Sequence, residues 1–353
     1  VSMSRFWSDI ARSLTPYVPG EQPRAQKQVK LNTNEFPYPP SPQALAVLSE
    51  TAGDELRLYP DPESESLRAG IAGYYGLQSD QVFVGNGSDE VLAHAFLGLL
   101  KQDQPILFPD ISYSFYPVWC ELFGIHYRQV PLSEEFQVSV VDYDSDNGGI
   151  IIPNPNAPTG IAMGLDSVEE LLAMNRDRIL IIDEAYVDFG ADSAVGLVDQ
   201  YDNLLVVQTL SKSRALAGLR VGMAMGQAPL IEGLSRVKNS FNSYPLGLIA
   251  QKMALAAFQD EAYFSETCGR VIATRERLVA SLAEMGFDVL PSSANFVFAR
   301  HPDRSGQEIF HGLREKGVIV RHFDKPRISD YVRITVGTPE QCDALTAALA
   351  QLL

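Results

Sequence analysis

Charged and hydroxyl side chains follow two apolar runs of the sequence, at positions where they could form a reactive site. Asp183 ends the run RILIID (178–183), and Tyr186 follows it by three residues. Lys212 follows the run LLVVQ (204–208), and Arg220 comes eight residues later. Because buried strand ends rarely carry charges without partners, Asp183 and Lys212 are candidates for chemistry.

A glycine-containing turn, GNGSDE (85–90), follows a third apolar run and opens a predicted helix. Free backbone N–H groups and the helix dipole make such a turn suitable for phosphate. An ordinary tight turn is the alternative interpretation. Glu90 stands where a GxGxxG dinucleotide motif needs its third glycine, so a dehydrogenase is disfavoured.

Pyridoxal phosphate (PLP) is the cofactor whose chemistry needs this set of residues. A carboxylate such as Asp183 keeps the pyridine nitrogen protonated, so that the ring can accept electrons. A hydroxyl donor such as Tyr186 suits its phenolic oxygen, and backbone amides with an arginine suit its phosphate. Its aldehyde needs an amine, and we predict that Lys212 forms a Schiff base with it.

Other reactive sites are disfavoured by missing motifs. RILIIDE resembles a Walker B strand, but no GxxxxGK[ST] loop precedes Lys212-Ser213. There is no GxSxG elbow. The five histidines are scattered without an HExxH pattern, so no metal site is predicted.

Composition restricts the class of protein. The 353 residues are 46% hydrophobic and 20% charged, typical of a globular protein with a large core. A net charge of -16 argues against binding to nucleic acid or anionic membranes, although arginines gathered at one site could still bind an anion. Three widely separated cysteines and the absence of a secretory signal at the N-terminus predict a cytoplasmic location.

Apolar strands alternate with helices between about residues 81 and 208, which predicts an α/β fold with a mainly parallel sheet between helices. Ligands of such sheets bind at the carboxyl ends of the strands, where the polar motifs lie. After Pro245 the pattern becomes α+β. We predict an N-terminal arm (1–45), a large domain (46–244) and a small domain (245–353) that the arm completes. Asp166 is predicted to cap the helix over 167–174.

Nine short motifs, in this order, cover the chain from about Leu14 to Gly337: LTPY, LNTNEFPYPPSP, LYPD, GNGSDE, PDISYSFY, NPNAPTG, DEAYVDF, TLSKSRALAGLRVG and VRITVGT. Together they resemble the fold-type-I PLP aminotransferases and, within them, the histidinol-phosphate aminotransferases. The resemblance implies an aspartate-aminotransferase-like fold with a seven-stranded-type sheet.

The resemblance also implies residue roles. Lys212 would hold the cofactor and move the proton, Asp183 would pair with the pyridinium nitrogen, and Tyr186 would bind the phenolic oxygen. Tyr113 would stack on the ring. The phosphate would be bound by the backbone amides of Ser88 and Asp89, by the side chains of Thr209, Ser211 and Arg220, and by Tyr59 of a partner subunit, so that the active unit would be a homodimer.

For the substrate, the resemblance implies that Arg333 binds the acidic group. Arg321 and Tyr17 would help with a substrate phosphate, and Asn34 would border the pocket. A solvated strand residue is the alternative interpretation of Arg321.

The sequence departs from the family at one position. Family members commonly have an asparagine directly before Pro-Thr-Gly, where it binds the phenolic oxygen of the cofactor. This chain has Ala157 there, in NPNAPTG, and Asn156 is the nearest replacement. We therefore predict that Asn156 makes the contact.

The implied activity is transamination between histidinol phosphate and 2-oxoglutarate, by a ping-pong mechanism, as a step of histidine biosynthesis. An aromatic-amino-acid aminotransferase and a threonine-phosphate decarboxylase on the same scaffold are the alternatives. A non-catalytic regulator is disfavoured, because Val1–Leu31 is too short and too weakly basic for a DNA-binding module.

Overall fold

The computed structural model describes residues 4–17, 20–22 and 28–353. Its strands are Val29–Lys30 (β1), Val82–Asn86 (β2), Ile106–Pro109 (β3), Tyr127–Val130 (β4), Ile150–Pro153 (β5), Leu180–Asp183 (β6), Leu204–Thr209 (β7), Val221–Gly226 (β8), Asp288–Val289 (β9), Phe296–Arg300 (β10), Val318–Ile319 (β11), Arg321–His322 (β12) and Tyr331–Thr335 (β13). Its α-helices are Asp9–Ser13 (α1), Pro42–Glu50 (α2), Glu65–Tyr75 (α3), Gly87–Ala95 (α4), Tyr116–Phe123 (α5), Leu165–Met174 (α6), Ala228–Phe241 (α7), Leu248–Gln259 (α8), Glu261–Glu284 (α9), Gly306–Glu315 (α10) and Pro339–Leu349 (α11).

The largest sheet has seven strands in the order β2-β8-β7-β6-β5-β3-β4. Only β8 runs antiparallel to its neighbours, so the predicted mainly parallel sheet is confirmed. Its central strands β6 and β7 end side by side, and these two strands carry Asp183 and the segment that leads to Lys212.

Helices cover both faces of this sheet, and the alternation of side chains along each strand explains why. Ile150 and Ile152 of β5 pack into a core with α2, α3, α6 and α8. Ile151 points to the opposite face and packs with α4, α5 and α7. Burying one isoleucine side chain stabilises the fold by about 1.5–3 kcal/mol, so strands that are apolar on both faces favour this three-layer arrangement.

A second unit of structure contains an antiparallel sheet in the order β12-β13-β10-β9. Strand β1, from the N-terminal arm, pairs in parallel with β11, and Leu31 enters the core formed by α9, α10 and α11. The arm thus packs with the C-terminal part of the chain. The domain boundaries at residues 45 and 244 remain a prediction.

Two element boundaries are set by neighbouring strands or residues. The segment VIVRHF (318–323) forms two short strands, because Val318–Ile319 pairs with β1 whereas Arg321–His322 pairs with β13. The predicted cap at Asp166 is wrong: α6 follows Gly164 in an extended conformation, and Asp166 lies inside the first turn. A carboxylate there still interacts favourably with the helix dipole.

Three other helices have ends that the structure defines. Helix α1 begins at Asp9, where Ser8 caps it, and α5 begins at Tyr116. Helix α4 is α-helical to Ala95 and continues as a π-helical segment over Phe96–Leu100. Within the described residues, the structure contains no helix that is both apolar and long enough to span a membrane.

Candidate active site

A cavity of about 390 Å³ lies at the carboxyl ends of the central strands, between the large sheet and the C-terminal unit. All the predicted site residues line it except Asn156 and Tyr59. The predicted residues that line it are Tyr17, Asn34, Ser88, Asp89, Tyr113, Asp183, Tyr186, Thr209, Ser211, Lys212, Arg220, Arg321 and Arg333. Its volume is within the range of small-molecule sites.

Lys212 enters the cavity from the loop after β7. Its Nζ donates a hydrogen bond of 3.1 Å to the carbonyl oxygen of Thr33, in the N-terminal arm. It lies 5.7 Å from the centre of the Tyr186 ring. The lysine amine is therefore held by a single described acceptor, at the edge of open space that a ligand could fill.

Asp183 lies on the floor of the cavity, almost completely buried. Its Oδ2 accepts a hydrogen bond of 2.8 Å from the hydroxyl of Tyr116, whereas Oδ1 has no partner in the described part of the chain. Burial raises the pKa of Asp183 to about 6, and the Tyr116 hydrogen bond acts in the opposite direction. A buried carboxylate oxygen without a partner fits a positively charged N–H of a ligand.

Tyr116 is a site residue that the sequence reasoning missed. It is completely buried, belongs to α5 and is hydrogen-bonded to the cavity residue Asp183. The available signal was its place at the end of the YSFY motif, three residues after Tyr113. Only the packing of α5 against β6 shows that its hydroxyl reaches Asp183.

Tyr186 receives a hydrogen bond from the N-terminal arm. Asn34 Nδ2 donates to the Tyr186 hydroxyl at 2.9 Å, and Asn34 Oδ1 accepts from Thr335 Oγ1 at 3.1 Å. Asn34 has a φ of 56°, a left-handed conformation that asparagine tolerates better than most residues. The Tyr186 oxygen accepts the hydrogen bond from Asn34. The hydroxyl proton of Tyr186 therefore remains available for an acceptor in the cavity.

The predicted phosphate end of the cavity depends on two glycines. Gly87, at the start of α4, has a φ of 79°. A Cβ on Gly222 would lie 2.3 Å from the backbone nitrogen of Ser88, so only glycine permits this close approach of β8 to the turn. The approach brings Arg220, just before β8, to the N-terminus of α4.

The polar groups at this end form a connected set. Arg220 makes an ion pair of 2.9 Å with Asp89, and Asp89 accepts a hydrogen bond of 3.0 Å from the Tyr113 hydroxyl. Thr209 Oγ1 donates to Ser211 Oγ at 3.0 Å. The Asp89 side chain thus connects Tyr113, the candidate for stacking on the cofactor ring, to Arg220, a candidate for binding the cofactor phosphate. The prediction gave a role only to the backbone amide of Asp89.

Two arginines lie opposite each other at the other end of the cavity. Arg321 of β12 and Arg333 of β13 are register partners on neighbouring strands. Like charges in directly opposed positions are destabilising, so the pair indicates a site for an anion. Burial lowers the pKa of Arg333, and the Arg321 charge acts in the same direction. Arg333 Nη2 donates to the Asn32 carbonyl at 3.0 Å, and Nε has no partner among the described residues.

Aromatic rings form the walls beside these arginines. The Arg333 and Arg321 guanidiniums each lie 5.5 Å from the centre of the Phe323 ring. The Tyr17 ring packs against Phe115 at a centroid distance of 4.9 Å. The geometry brings Tyr17, Arg321 and Arg333 to one end of the cavity, although they are far apart in sequence.

Asn156 does not reach the cavity. Its Nδ2 donates to the Ile111 carbonyl and to Thr159 Oγ1, both at 3.0 Å, and the cavity wall is formed by Ala157 and Pro158. The one-residue offset directs the amide into the turn, so the structure does not support the predicted contact with the cofactor.

Tyr59 lies outside the cavity of its own chain. Its side chain is 83% exposed, and its ring packs 4.8 Å from that of Tyr244. This exposure is compatible with a contact to a second subunit, which stays a prediction.

A second buried carboxylate, Glu184, makes a testable contribution to stability. It accepts hydrogen bonds from Ser193, Ala194 and Gln208, yet burial raises its pKa to about 7. The unfolded chain releases this proton near 4.5, so the native state binds more protons between pH 4.5 and 7. Stability must then fall as pH rises through that window, by about 3 kcal/mol from this group.

We therefore expect Glu184→Gln to flatten the pH dependence of the melting temperature of the cofactor-free protein between pH 4.5 and 7. Thermal unfolding at several pH values measures this. Glu50→Gln, at an exposed position, is the control and should leave the slope unchanged. An equal slope in Glu184→Gln and the unsubstituted protein would contradict the expectation.

Comparison with known proteins decides the family. The family model described as aminotransferase class I and II matches residues 26–349. Histidinol-phosphate aminotransferase 2 of Dechloromonas aromatica is 59% identical over 354 residues, 99% of each chain, and the Pseudomonas putida histidinol-phosphate aminotransferase is 60% identical over 99% of this chain and all of that protein. The chain belongs to the histidinol-phosphate aminotransferase family. It is therefore an aminotransferase.

Solved structures agree with this family's fold. The histidinol-phosphate aminotransferase of Sinorhizobium meliloti, solved with pyridoxal-5'-phosphate, superimposes with a TM-score of 0.89 at 22% identity, over 99% of this chain and 98% of that one. The enzyme of Clostridium acetobutylicum gives 0.85 at 24% identity, over 92% and 98%. The predicted fold-type-I architecture is confirmed, and membership in the aminotransferase class implies PLP as the cofactor.

Proposed function

We propose that this protein transfers an amino group between histidinol phosphate and 2-oxoglutarate, through PLP held in the cavity described above. The carrying observation is that Lys212, Arg220 and Asp183 meet in one cavity, where one Asp183 oxygen has no partner within the described part of the chain. Names of relatives at about 60% identity support the phosphorylated substrate.

The residues present fit the cofactor. Asp183 Oδ1 is a buried acceptor that lacks a partner among the described residues, which suits a protonated ring nitrogen. The Tyr186 hydroxyl suits the phenolic oxygen. The amides of Ser88 and Asp89, at the N-terminus of α4, suit the phosphate together with Arg220 and the hydroxyls of Thr209 and Ser211.

When bound, the cofactor would supply an aldehyde that bonds to an amine and a ring that accepts the electrons released on proton removal. Lys212 would hold the cofactor covalently at rest and would then act as the base that moves the substrate α-proton. Asp183 stays ionised beside a cation and fixes the ring orientation.

Arg333 would bind the acidic group of each substrate in turn: a phosphate on histidinol phosphate and a carboxylate on glutamate. A guanidinium fork suits both anions. Arg321 and Tyr17 would add contacts to the larger phosphate. The acidic surface, with a net charge of -16, repels anions elsewhere, so these arginines concentrate anion binding in the cavity.

A homodimer is the proposed active unit, with Tyr59 of each subunit contacting the cofactor phosphate of the other. Its support is the high exposure of Tyr59 together with exposed Leu56 and Leu58 in the same segment. A fully active protein that sediments as a monomer would contradict this. Three free, buried cysteines support the cytoplasm as the location.

The testing experiment is an amine-transfer assay with purified protein. Histidinol phosphate with 2-oxoglutarate should give kcat/KM at least about tenfold above phenylalanine or tyrosine as donor, because the arginine pair adds charge-assisted hydrogen bonds to the phosphate. Carbon dioxide release from threonine phosphate is measured in parallel. Faster transfer from the aromatic donors, or decarboxylation without keto-acid-dependent transfer, would replace the proposal by one of those activities.

A further inference from the structure

The two residues that follow the cavity lysine are buried and tightly bound. Ser213 and Arg214 are only 3% and 8% exposed. The Ser213 hydroxyl donates a hydrogen bond to the Asp188 carboxylate, which belongs to the segment after β6. Arg214 Nη1 donates to the Ala257 carbonyl, at the C-terminal end of α8, at 2.7 Å. The loop is thus connected both to the neighbouring strand end and to a helix.

Aromatic rings enclose the Arg214 guanidinium. Its Cζ lies 3.9 Å from the ring centre of Phe264 on α9, 4.1 Å from Phe258 on α8 and 5.1 Å from Tyr74 on α3. A planar, weakly hydrated guanidinium can stack in this way, whereas an ammonium cannot. Three helices therefore fix one side chain of the lysine loop.

The loop conformation needs this anchoring. Ala215 has a φ of 59°, a left-handed conformation that is unfavourable for alanine by about 1 kcal/mol. Its amide donates to the Lys212 carbonyl at 3.3 Å, and Leu216 N donates to the Leu210 carbonyl at 2.9 Å. The bonds close a compact turn around Lys212. Strain of this kind persists only where surrounding contacts determine the conformation.

We propose that Arg214 and the Asp188–Ser213 hydrogen bond are positioning elements that aim the Lys212 amine at the cofactor aldehyde. The inference rests on the proposed role of Lys212. A lysine side chain is long and flexible, so the direction of its Nζ depends on how firmly its backbone is held. Arg214 is not among the residues that line the cavity and acts through the loop.

The test compares two ligands on the full-length, cofactor-free protein: PLP, and 4'-deoxypyridoxine 5'-phosphate, which lacks the aldehyde. Both use the ring and phosphate contacts, but only PLP bonds to Lys212. The ratio of the two affinities therefore isolates the lysine. We expect Arg214→Met to lower the PLP preference about tenfold and kcat about a hundredfold, as a misplacement near 1 Å would, with the affinity for the analogue unchanged.

Control variants separate positioning from general damage. Arg68→Met removes a half-buried arginine of α3 that donates to the Val82 and Ser79 carbonyls at 2.8 Å. Among the described residues it makes no hydrogen bond to the lysine loop, so the ratio should stay unchanged. Arg214→Lys keeps the charge without the planar face and should show a partial loss. Ser213→Ala should shift the ratio about threefold in the same direction, the loss of one hydrogen bond, and serves as the test if Arg214→Met does not fold.

The outcomes are distinct. An unchanged PLP preference in Arg214→Met and Ser213→Ala, or an equal loss of affinity for both ligands, overturns the positioning role and leaves the proposed function standing. Lys212→Ala must itself abolish the preference. If it does not, the lysine assignment is overturned, and the positioning role with it.

Discussion

Replacing Lys212 with alanine is expected to lower the turnover of amino transfer at least about 10⁴-fold, the upper range for removing an acid–base group. The amine is the only lysine nitrogen among the residues that line the described cavity. Its loss removes both the covalent attachment of the cofactor and the base that moves the α-proton. Steady-state turnover of histidinol phosphate with 2-oxoglutarate measures the effect, and the visible absorbance of the lysine-bound cofactor should disappear with it.

Lys316→Ala provides the matched control. Lys316 is exposed at the end of α10, where its Nζ donates to Gln351 Oε1, far from the cavity. Its removal should leave turnover and absorbance unchanged. If Lys212→Ala kept a substantial share of its turnover, another group would have to move the proton and the assignment of Lys212 would be wrong.

Replacing Arg333 with methionine is expected to lower kcat/KM for histidinol phosphate and for glutamate by about 10²–10³, the loss of two charge-assisted hydrogen bonds. Arg333 lies opposite Arg321, and its Nε has no partner in the described part of the chain. The side chain therefore has donors to offer an anion. Arg333→Lys should recover only part of the loss, because an ammonium group cannot donate the two parallel hydrogen bonds that a guanidinium group offers to one anion.

Two comparisons make this result specific. Arg321→Met should weaken histidinol phosphate more than glutamate, since the proposed extra contacts serve the phosphate. Arg300→Met is the control: Arg300 ends β10 and forms an exposed ion pair of 3.1 Å with Asp288. Unchanged kinetics for both substrates in Arg333→Met would make Arg333 a structural residue bound to the Asn32 carbonyl.

Local patterns in the sequence were sufficient for the large sheet and its polar strand ends. Continuous apolar runs predict central parallel strands. Both faces of such a strand must be buried, and helices on both sides of a parallel sheet bury them. Asp183 and Lys212 follow two such runs, so their convergence at one edge follows from the architecture. The family followed from the order of short motifs, which the matched relatives confirm.

Element ends and short strands were less predictable. The segment 318–323 begins with three apolar, β-branched residues, but its two halves pair with different strands. Strand pairing is decided by neighbours that are distant in sequence, since a strand cannot form its hydrogen bonds within itself. The start of α6 was also not predictable from residue type. Gly164, in an extended conformation, takes the cap position that was predicted for Asp166.

The sequence by itself determined which reactive groups exist and at which strand ends they lie, because residue type and hydrophobic periodicity are local properties. Only the tertiary structure decided which atoms meet. It showed that Tyr116 holds one oxygen of Asp183, that Asn156 turns away while Ala157 lines the wall, and that the arm places Thr33 against Lys212. These contacts join segments far apart in the chain, and their distances follow from packing rather than from spacing in sequence.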